Sequence, residues 1–142
     1  MGTLVDKDLL TSKLQELERY LSQLRKHQGV TAEKLDNDLD KAWIIERGLQ
    51  LSIQLVLDIG NHILAEAGVS VHDYADILPQ LAKLDIIPGD YALSVKGMAG
   101  FRNLLVHEYT EIDNDKLAVF VNANLSDIYL FCKYITAYAD KA

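Results

Sequence analysis

The chain has 142 residues, a length typical of one domain and sufficient to bury a sizeable core. Hydrophobic residues make up 49% of it and charged residues 25%, which excludes an intrinsically disordered protein. The formal net charge of −7 argues against a broad basic surface for nucleic acid, but it allows an enzyme with a small positive pocket. We therefore expect a single domain spanning residues 1–142.

The single cysteine and the first residues indicate where the protein works. Cys132 has no second cysteine to pair with, so an intramolecular disulfide is excluded. The N-terminal residues lack the basic and apolar segments of a signal peptide, and Asp6 breaks a possible myristoylation motif at Gly2. No stretch approaches the ~18 apolar residues of a membrane span. We expect a cytoplasmic protein without a membrane association, in which Cys132 and Trp43 are packing residues.

The first half of the chain predicts two helices. The first covers residues 6–27 and carries one narrow leucine stripe, and Gly29 ends it. Thr31 is a plausible cap for a second, long helix over residues 32–67, closed by Gly68. Apolar side chains surround much of this second helix, so we expect more than one of its faces to be buried. The leucine stripe consists of Leu10, Leu14, Leu17, Leu21 and Leu24.

The second half predicts one short and two longer helices. The short one lies within residues 73–84, where Pro79 interrupts or restarts it. The next covers residues 91–107, where Gly97 and Gly100 either lower the helix propensity or mark a close contact between helices.

The last helix begins near Asp113 or Asp115, either of which can cap it. No alternating strand pattern and no internal repeat occurs. The fold class is therefore predicted to be all-α, an up-and-down bundle of four main helices plus a short extra helix.

Residues 102–109 carry the strongest chemical signal. An arginine stays charged at any working pH and its planar fork matches a phosphate, whereas a histidine exchanges protons near neutrality. Arg102 and His107 are thus the minimal set for cutting RNA without a metal. On an ideal helix Arg102 and Tyr109 share a side, but His107 points about 140° away from Arg102 and shares a face with Asn103. Either the helix loosens near His107 or a second copy of the chain completes the site.

A simpler interpretation of the same residues remains open. A histidine near the end of a helix can interact with the helix dipole, and an arginine can form a surface ion pair. Short motifs match by chance at a high rate, so spacing alone does not decide between the two interpretations.

A line of polar side chains along the second helix is the other candidate feature. Gln54 and Asp58 are its most informative members because apolar neighbours surround them, and a carboxylate there can orient a histidine or pair an arginine. For the N-terminal half of the line, a solvated stripe is the simpler interpretation. Asp58 and His62 are four apart, but two ligands do not make a metal site, and we expect neither a metal nor a cofactor. The line consists of Glu46, Gln50, Gln54, Asp58 and His62.

At these positions the chain resembles the HEPN superfamily and, more narrowly, the HepT-type toxins. The superfamily's ribonuclease motif is an arginine, a polar residue, a short spacer and a histidine, which here are Arg102, Asn103, residues 104–106 and His107. The toxins add a tyrosine two residues later, here Tyr109. Similarity extends over residues 43–131, including the Asp-Ile-Gly-Asn-His run at 58–62, whereas the first helix carries no family signal.

The resemblance implies an all-α HEPN-like homodimer, or a higher assembly, with two motifs facing one cleft. It implies a metal-independent endoribonuclease, the toxin of a type VII-like toxin–antitoxin pair, whose substrate is mRNA or tRNA. The implied partner is a minimal nucleotidyltransferase (MNT) antitoxin that transfers AMP onto Tyr109. The implied catalytic residues are Arg102, Asn103 and His107, with Asp58 in support. The alternative is a non-catalytic HEPN module that docks to a nucleotidyltransferase or its substrate.

Overall fold

The computed structural model describes residues 6–106 and 113–141, and these residues are helical with short connections and contain no β-strand. The all-α class predicted from the sequence is confirmed. In chain order the elements are α1 (Lys7–Arg25), α2 (Ala32–Asp36), α3 (Leu39–Glu66), a 3₁₀ turn (Tyr74–Asp76), α4 (Ile77–Lys83), α5 (Gly89–Ser94), α6 (Met98–Val106), α7 (Asn114–Val119), a π-helical turn (Phe120–Asn124) and α8 (Leu125–Lys141).

The core forms where α1, α3 and α8 pack together, with α6 and α4 against α3. All five leucines of the α1 stripe are buried, as the spacing predicted. The long α3 buries residues on several sides, because α1, α4, α6 and α8 surround it. Cys132 is buried in this core, and burial raises the pKa of its thiol to about 12. The cysteine is therefore a packing residue, as expected.

The long second helix predicted over residues 32–67 is two helices. Asn37 ends α2, and the Asp38 side chain accepts a hydrogen bond from the backbone N–H of Lys41 at 3.1 Å to begin α3. Short polar side chains compete with the helix for backbone groups, which is why Asn37 and Asp38 interrupt a continuous apolar pattern. The predicted cap at Thr31 is confirmed by its hydrogen bond from the Lys34 N–H at 3.1 Å.

The helix predicted over residues 91–107 is also interrupted, between α5 and α6. The Ser94 hydroxyl donates at 2.8 Å to the Tyr91 carbonyl, which also accepts the Val95 N–H at 3.1 Å, and Gly97 follows in the connection. Of the two alternatives for Gly97 and Gly100, the close contact between helices is wrong, because a Cβ atom at either would meet nothing within 4 Å. Gly60 of α3 is the close approach instead: a Cβ there would lie 2.5 Å from Ile77 Cγ2 of α4.

The remaining boundaries follow local chemistry. Pro79 lies in the first turn of α4, where a missing backbone N–H costs little. Of the two alternatives at this proline, the chain therefore starts a new helix there and does not interrupt one. Asp113 caps α7 by accepting from the Asp115 N–H at 2.9 Å. The helix predicted from there contains the π-helical turn, whose first residue, Phe120, stacks on Phe101 of α6 with ring centroids 4.8 Å apart. None of the described helices is both long and apolar enough to cross a membrane.

Candidate active site between α3 and α6

The structure places three of the five predicted site residues on two packed helices. Arg102 and Asn103 lie on α6, and Asp58 lies on α3. His107 and Tyr109 lie outside the described residues.

Arg102 is anchored to α3 by a neutral side chain. Its Nε donates a hydrogen bond to Oε1 of Gln54 at 2.8 Å, and Nε2 of Gln54 donates to Oδ1 of Asp58 at 2.8 Å. Because the amide of Gln54 uses its oxygen on one side and its nitrogen on the other, its orientation is determined. Asp58 thus acts on Arg102 through Gln54, rather than pairing with the arginine or, among the described residues, with a histidine.

The neutral contact preserves the positive charge of the guanidinium. A glutamate at position 54 would place a carboxylate against Nε and form an ion pair. Gln54 instead fixes the orientation of the guanidinium without neutralising its charge. The carboxylate of Asp58 lies one hydrogen bond further away. Arg102 is consequently held in place with charge available for an anion such as a phosphate.

The outer part of the guanidinium lies near the surface. Its Nη1 donates to Oδ1 of Asn103 at 3.2 Å, and Asn103 is exposed. Arg102 itself is half-buried. The inner Nε edge is therefore used for anchoring, and the outer edge with Asn103 is the side on which a phosphate can approach.

Tyr74 completes the arginine's surroundings, and the sequence did not predict it. The Arg102 guanidinium carbon lies 4.8 Å from the centroid of the Tyr74 ring, a cation–π contact. Tyr74 begins the 3₁₀ turn, which Asp73 caps by accepting from the Ala75 N–H at 3.1 Å. No periodicity could reveal this contact, because Tyr74 belongs to a short turn remote in sequence from the motif.

The polar line of α3 is half-buried along its whole length, including Glu46 and Gln50 in the half for which a solvated stripe was the simpler interpretation. Burial raises the pKa of Glu46. At the other end Nε2 of His62 is buried, lies 4.0 Å from the Glu66 carboxylate and has no hydrogen-bond partner among the described residues. Within residues 6–106 and 113–141, no group of three or more potential metal ligands occurs.

Trp43 contradicts the prediction that it is a packing residue. It is 59% exposed, and its neighbours Leu39 and Ile44 are 59% and 56% exposed. Trp43 and Gln54 are eleven residues apart, a rotation of about 20° beyond three full turns, so both lie on the same side of the α-helix. The exposed apolar surface, here called the Trp43 patch and formed by Leu39, Trp43 and Ile44, therefore begins on the side of α3 that holds Arg102.

Curated relatives resemble this chain over nearly its whole length. A tRNA nuclease HepT from Aphanizomenon flos-aquae (strain 2012/KM1/D3) is 28% identical over 138 residues, covering 96% of this chain and 93% of that protein. An mRNA nuclease HepT from Shewanella oneidensis is 26% identical over 132 residues, covering 92% of this chain and 98% of that protein.

The fold is also that of a solved toxin. A tri-AMPylated Shewanella oneidensis HEPN toxin, solved in complex with an MNT antitoxin, matches with a TM-score of 0.80 and 24% identity, over 92% of this chain and 98% of that chain. A family model described as "Ribonuclease HepT-like" matches residues 17–135, which include both helices of the site. The chain therefore belongs to the ribonuclease HepT-like family.

Proposed function

We propose that this protein is a metal-independent endoribonuclease toxin in which Arg102 and His107 act on one RNA phosphodiester. The observation that carries the proposal is the anchoring of Arg102 by Gln54, which orients a guanidinium without neutralising it. The family's ribonuclease activity supports the same reaction. Both mRNA and tRNA remain candidate substrates, since one curated relative is named for each.

The chemistry follows from the two side chains. His107 takes the proton of a ribose 2′-hydroxyl, whose oxygen attacks the adjacent phosphorus, and a proton is returned to the 5′-oxygen that leaves. The products are a 2′,3′-cyclic phosphate and a free 5′-hydroxyl. Arg102 stabilises the charge that develops on the phosphoryl oxygens, and Asn103 orients the phosphate beside it. Asp58 supports the reaction indirectly, by holding Gln54.

The wild-type protein, purified free of AMP, should cleave mRNA or tRNA with undiminished rate in excess EDTA. The physical reason is that a guanidinium and an imidazole supply the charge and the proton transfer that a metal would otherwise supply. Gel analysis of end-labelled RNA measures the rate, and a cyclic phosphate end identifies the reaction. Intact RNA after prolonged incubation would contradict the proposal and leave a helical docking protein.

Inhibition by a nucleotidyltransferase belongs to the same proposal. The hydroxyl oxygen of Tyr109 would attack the α-phosphorus of ATP and release pyrophosphate, leaving AMP on the tyrosine. AMP adds bulk and negative charge near Arg102 in sequence, which would exclude an RNA phosphate. The solved Shewanella toxin, which is tri-AMPylated and bound to an MNT antitoxin, supports this assignment.

Co-expression with an active MNT nucleotidyltransferase should add one or more AMP masses to the peptide that contains Tyr109. Peptide mass spectrometry measures the modification, and the matched control is Tyr109→Phe, which lacks the accepting hydroxyl. A neutralised complex whose Tyr109 carries no AMP would instead indicate steric inhibition by the partner.

We further propose that two copies of the chain pair through the Trp43 patch. Neighbouring apolar side chains that are exposed indicate an interaction site, and the Trp43 patch begins on the side of α3 that carries Gln54. A two-fold axis there would bring two copies of the motif to one cleft, which supplies a second His107 to each Arg102. Within one chain an ideal helix directs His107 away from Arg102. In the homodimer the His107 of the second chain could take its place.

Replacing Trp43 with aspartate should shift the protein from dimer to monomer, because a charge would have to be buried in an apolar interface. Sedimentation velocity measures the shift, and RNA cleavage should fall in parallel. Leu93→Asp is the control, since Leu93 is 67% exposed on α5, outside the patch. A Trp43→Asp protein that remains dimeric would contradict this interface, and a wild type that sediments above a dimer would indicate a higher assembly.

A cytoplasmic location completes the proposal, because messenger and transfer RNA are there. Fractionation of the host cell checks it.

A further inference from the structure

A cleft of about 320 Å³ adjoins the arginine site and shares one residue with it. That residue is Tyr74, whose ring also contacts the Arg102 guanidinium at 4.8 Å. The volume lies at the lower end of the ~300–1,000 Å³ typical of small-molecule sites, which suits a single planar group. The cleft is lined by Asn61, Val71, His72, Asp73, Tyr74 and Ile77.

The lining has the chemistry that recognises an unpaired nucleobase. Proteins read single-stranded RNA by stacking bases on aromatic rings and by hydrogen bonds to the base edges. Tyr74, which is 39% exposed, offers the ring. The exposed side chains of Asn61 and His72 offer both donors and acceptors. The cleft thus combines a stacking surface with polar groups of the kind that read a base edge.

The charges of the lining residues indicate that the cleft and Arg102 bind different parts of a nucleotide. None of the described residues that line the cleft is a lysine or an arginine, and Asp73 adds a carboxylate, so a phosphate is repelled there. Tyr74, which lines the cleft, also contacts the guanidinium of Arg102. A bound RNA strand would therefore place its phosphate at Arg102 and an uncharged base in the cleft.

We propose that this cleft is a subsite for the nucleobase adjacent to the scissile phosphate, with Tyr74 stacking on the base and Asn61 and His72 contacting its edge. The inference rests on the proposed ribonuclease function and deepens it. It assigns the selection of a nucleotide to residues of α3 and of the turn before α4, outside the catalytic motif.

The test compares an RNA oligonucleotide that carries one mapped cleavage site with two versions in which the base on either side is removed to leave an abasic ribose. For wild type, removal of one of the two bases should lower kcat/KM about tenfold, the effect expected for loss of one stacked base. In Asn61→Ala/His72→Ala the same removal should matter only about threefold, because Tyr74 still stacks. The fold loss in kcat/KM on base removal for wild type, divided by the same fold loss for the paired variant, measures the contact between these side chains and the base.

Matched controls are provided by another asparagine and histidine of this chain. Asn37→Ala/His27→Ala changes residues just beyond α2 and α1, and should retain the tenfold effect. Each of Asn61→Ala and His72→Ala is also measured alone, because the two exposed residues belong to different elements and one of them suffices if the other disturbs folding.

The outcomes separate this inference from the function beneath it. If wild type cleaves the RNA but tolerates both abasic positions, or if the paired variant loses as much as wild type, the subsite is wrong and the nuclease stands. If wild type cleaves no RNA at all, the proposed function fails and the subsite fails with it.

Discussion

Exchanging Arg102 for lysine should lower the rate of the chemical step of RNA cleavage by about 10²–10³-fold, the loss expected when one donor to the developing charge is misplaced. Lysine keeps the positive charge, but it has no Nε to donate to Gln54 and no planar group to lie on the Tyr74 ring. The charge therefore remains while its position is lost. Single-turnover cleavage of a labelled RNA, at enzyme concentrations above saturation, measures the change.

Arg25→Lys is the matched control, because the Arg25 guanidinium also lies over a tyrosine ring, that of Tyr129 at 5.8 Å, on the α1–α8 side of the bundle. It should cleave as wild type does. An Arg102→Lys protein that retains cleavage within about twofold of wild type would show that a positive charge alone suffices and that the anchored geometry has no role.

The contact between Arg102 and Gln54 can also be tested by changing Gln54 on α3. Gln54→Glu preserves the size of the side chain and its acceptor for Nε, but it places a carboxylate against the guanidinium. Weaker binding of RNA, seen as a higher KM, is the expected sign that the neutral amide of Gln54 keeps the charge of Arg102 available. An unchanged KM would contradict that interpretation.

Replacing His107 with alanine should abolish both RNA cleavage and growth inhibition, with a loss of about 10²–10⁴-fold in rate, the range for removal of a general acid or base. The reason is that the described residues in contact with Arg102, namely Gln54, Tyr74 and Asn103, include no histidine and no carboxylate that could act as the general base. Cleavage of labelled RNA and growth after induction without the partner measure the two effects.

His27→Ala is the control, because His27 lies just beyond α1, remote from α6, and its pKa is lowered by burial rather than by any part of the site. It should remain toxic. If His107→Ala and Arg102→Ala both leave the growth effect unchanged while the nucleotidyltransferase still binds, the protein is the non-catalytic docking module that the sequence also allowed.

The members of the candidate site were selected from the sequence on three different grounds. Arg102 was selected because a guanidinium matches a phosphate, Asn103 because the resemblance to the HEPN motif implies it, and Asp58 because a carboxylate is unusual between apolar neighbours on a helix. The role of Asp58 was only partly predicted, since its link to Arg102 passes through Gln54. Tyr74 was missed because its contact with Arg102 depends on how the turn before α4 packs on α6.

Trp43 was predicted to be buried, but the structure shows it exposed. A tryptophan within a long apolar helix is ordinarily a core residue, so the pattern predicted burial. Its exposure reflects which faces of α3 are covered by α1, α4, α6 and α8, and that cannot be derived from the order of residues along one helix.

The amino-acid sequence by itself determined the family resemblance, the all-helical class, the leucine stripe of α1 and the caps at Thr31 and Asp113, because helix periodicity and capping act over three or four neighbouring residues. Only the tertiary structure decided that Gln54 holds Arg102, that Tyr74 covers it, and that Gly60 admits Ile77 of α4. These contacts join residues far apart in the chain. They arise from how whole helices pack against one another, and local patterns carry no record of that packing.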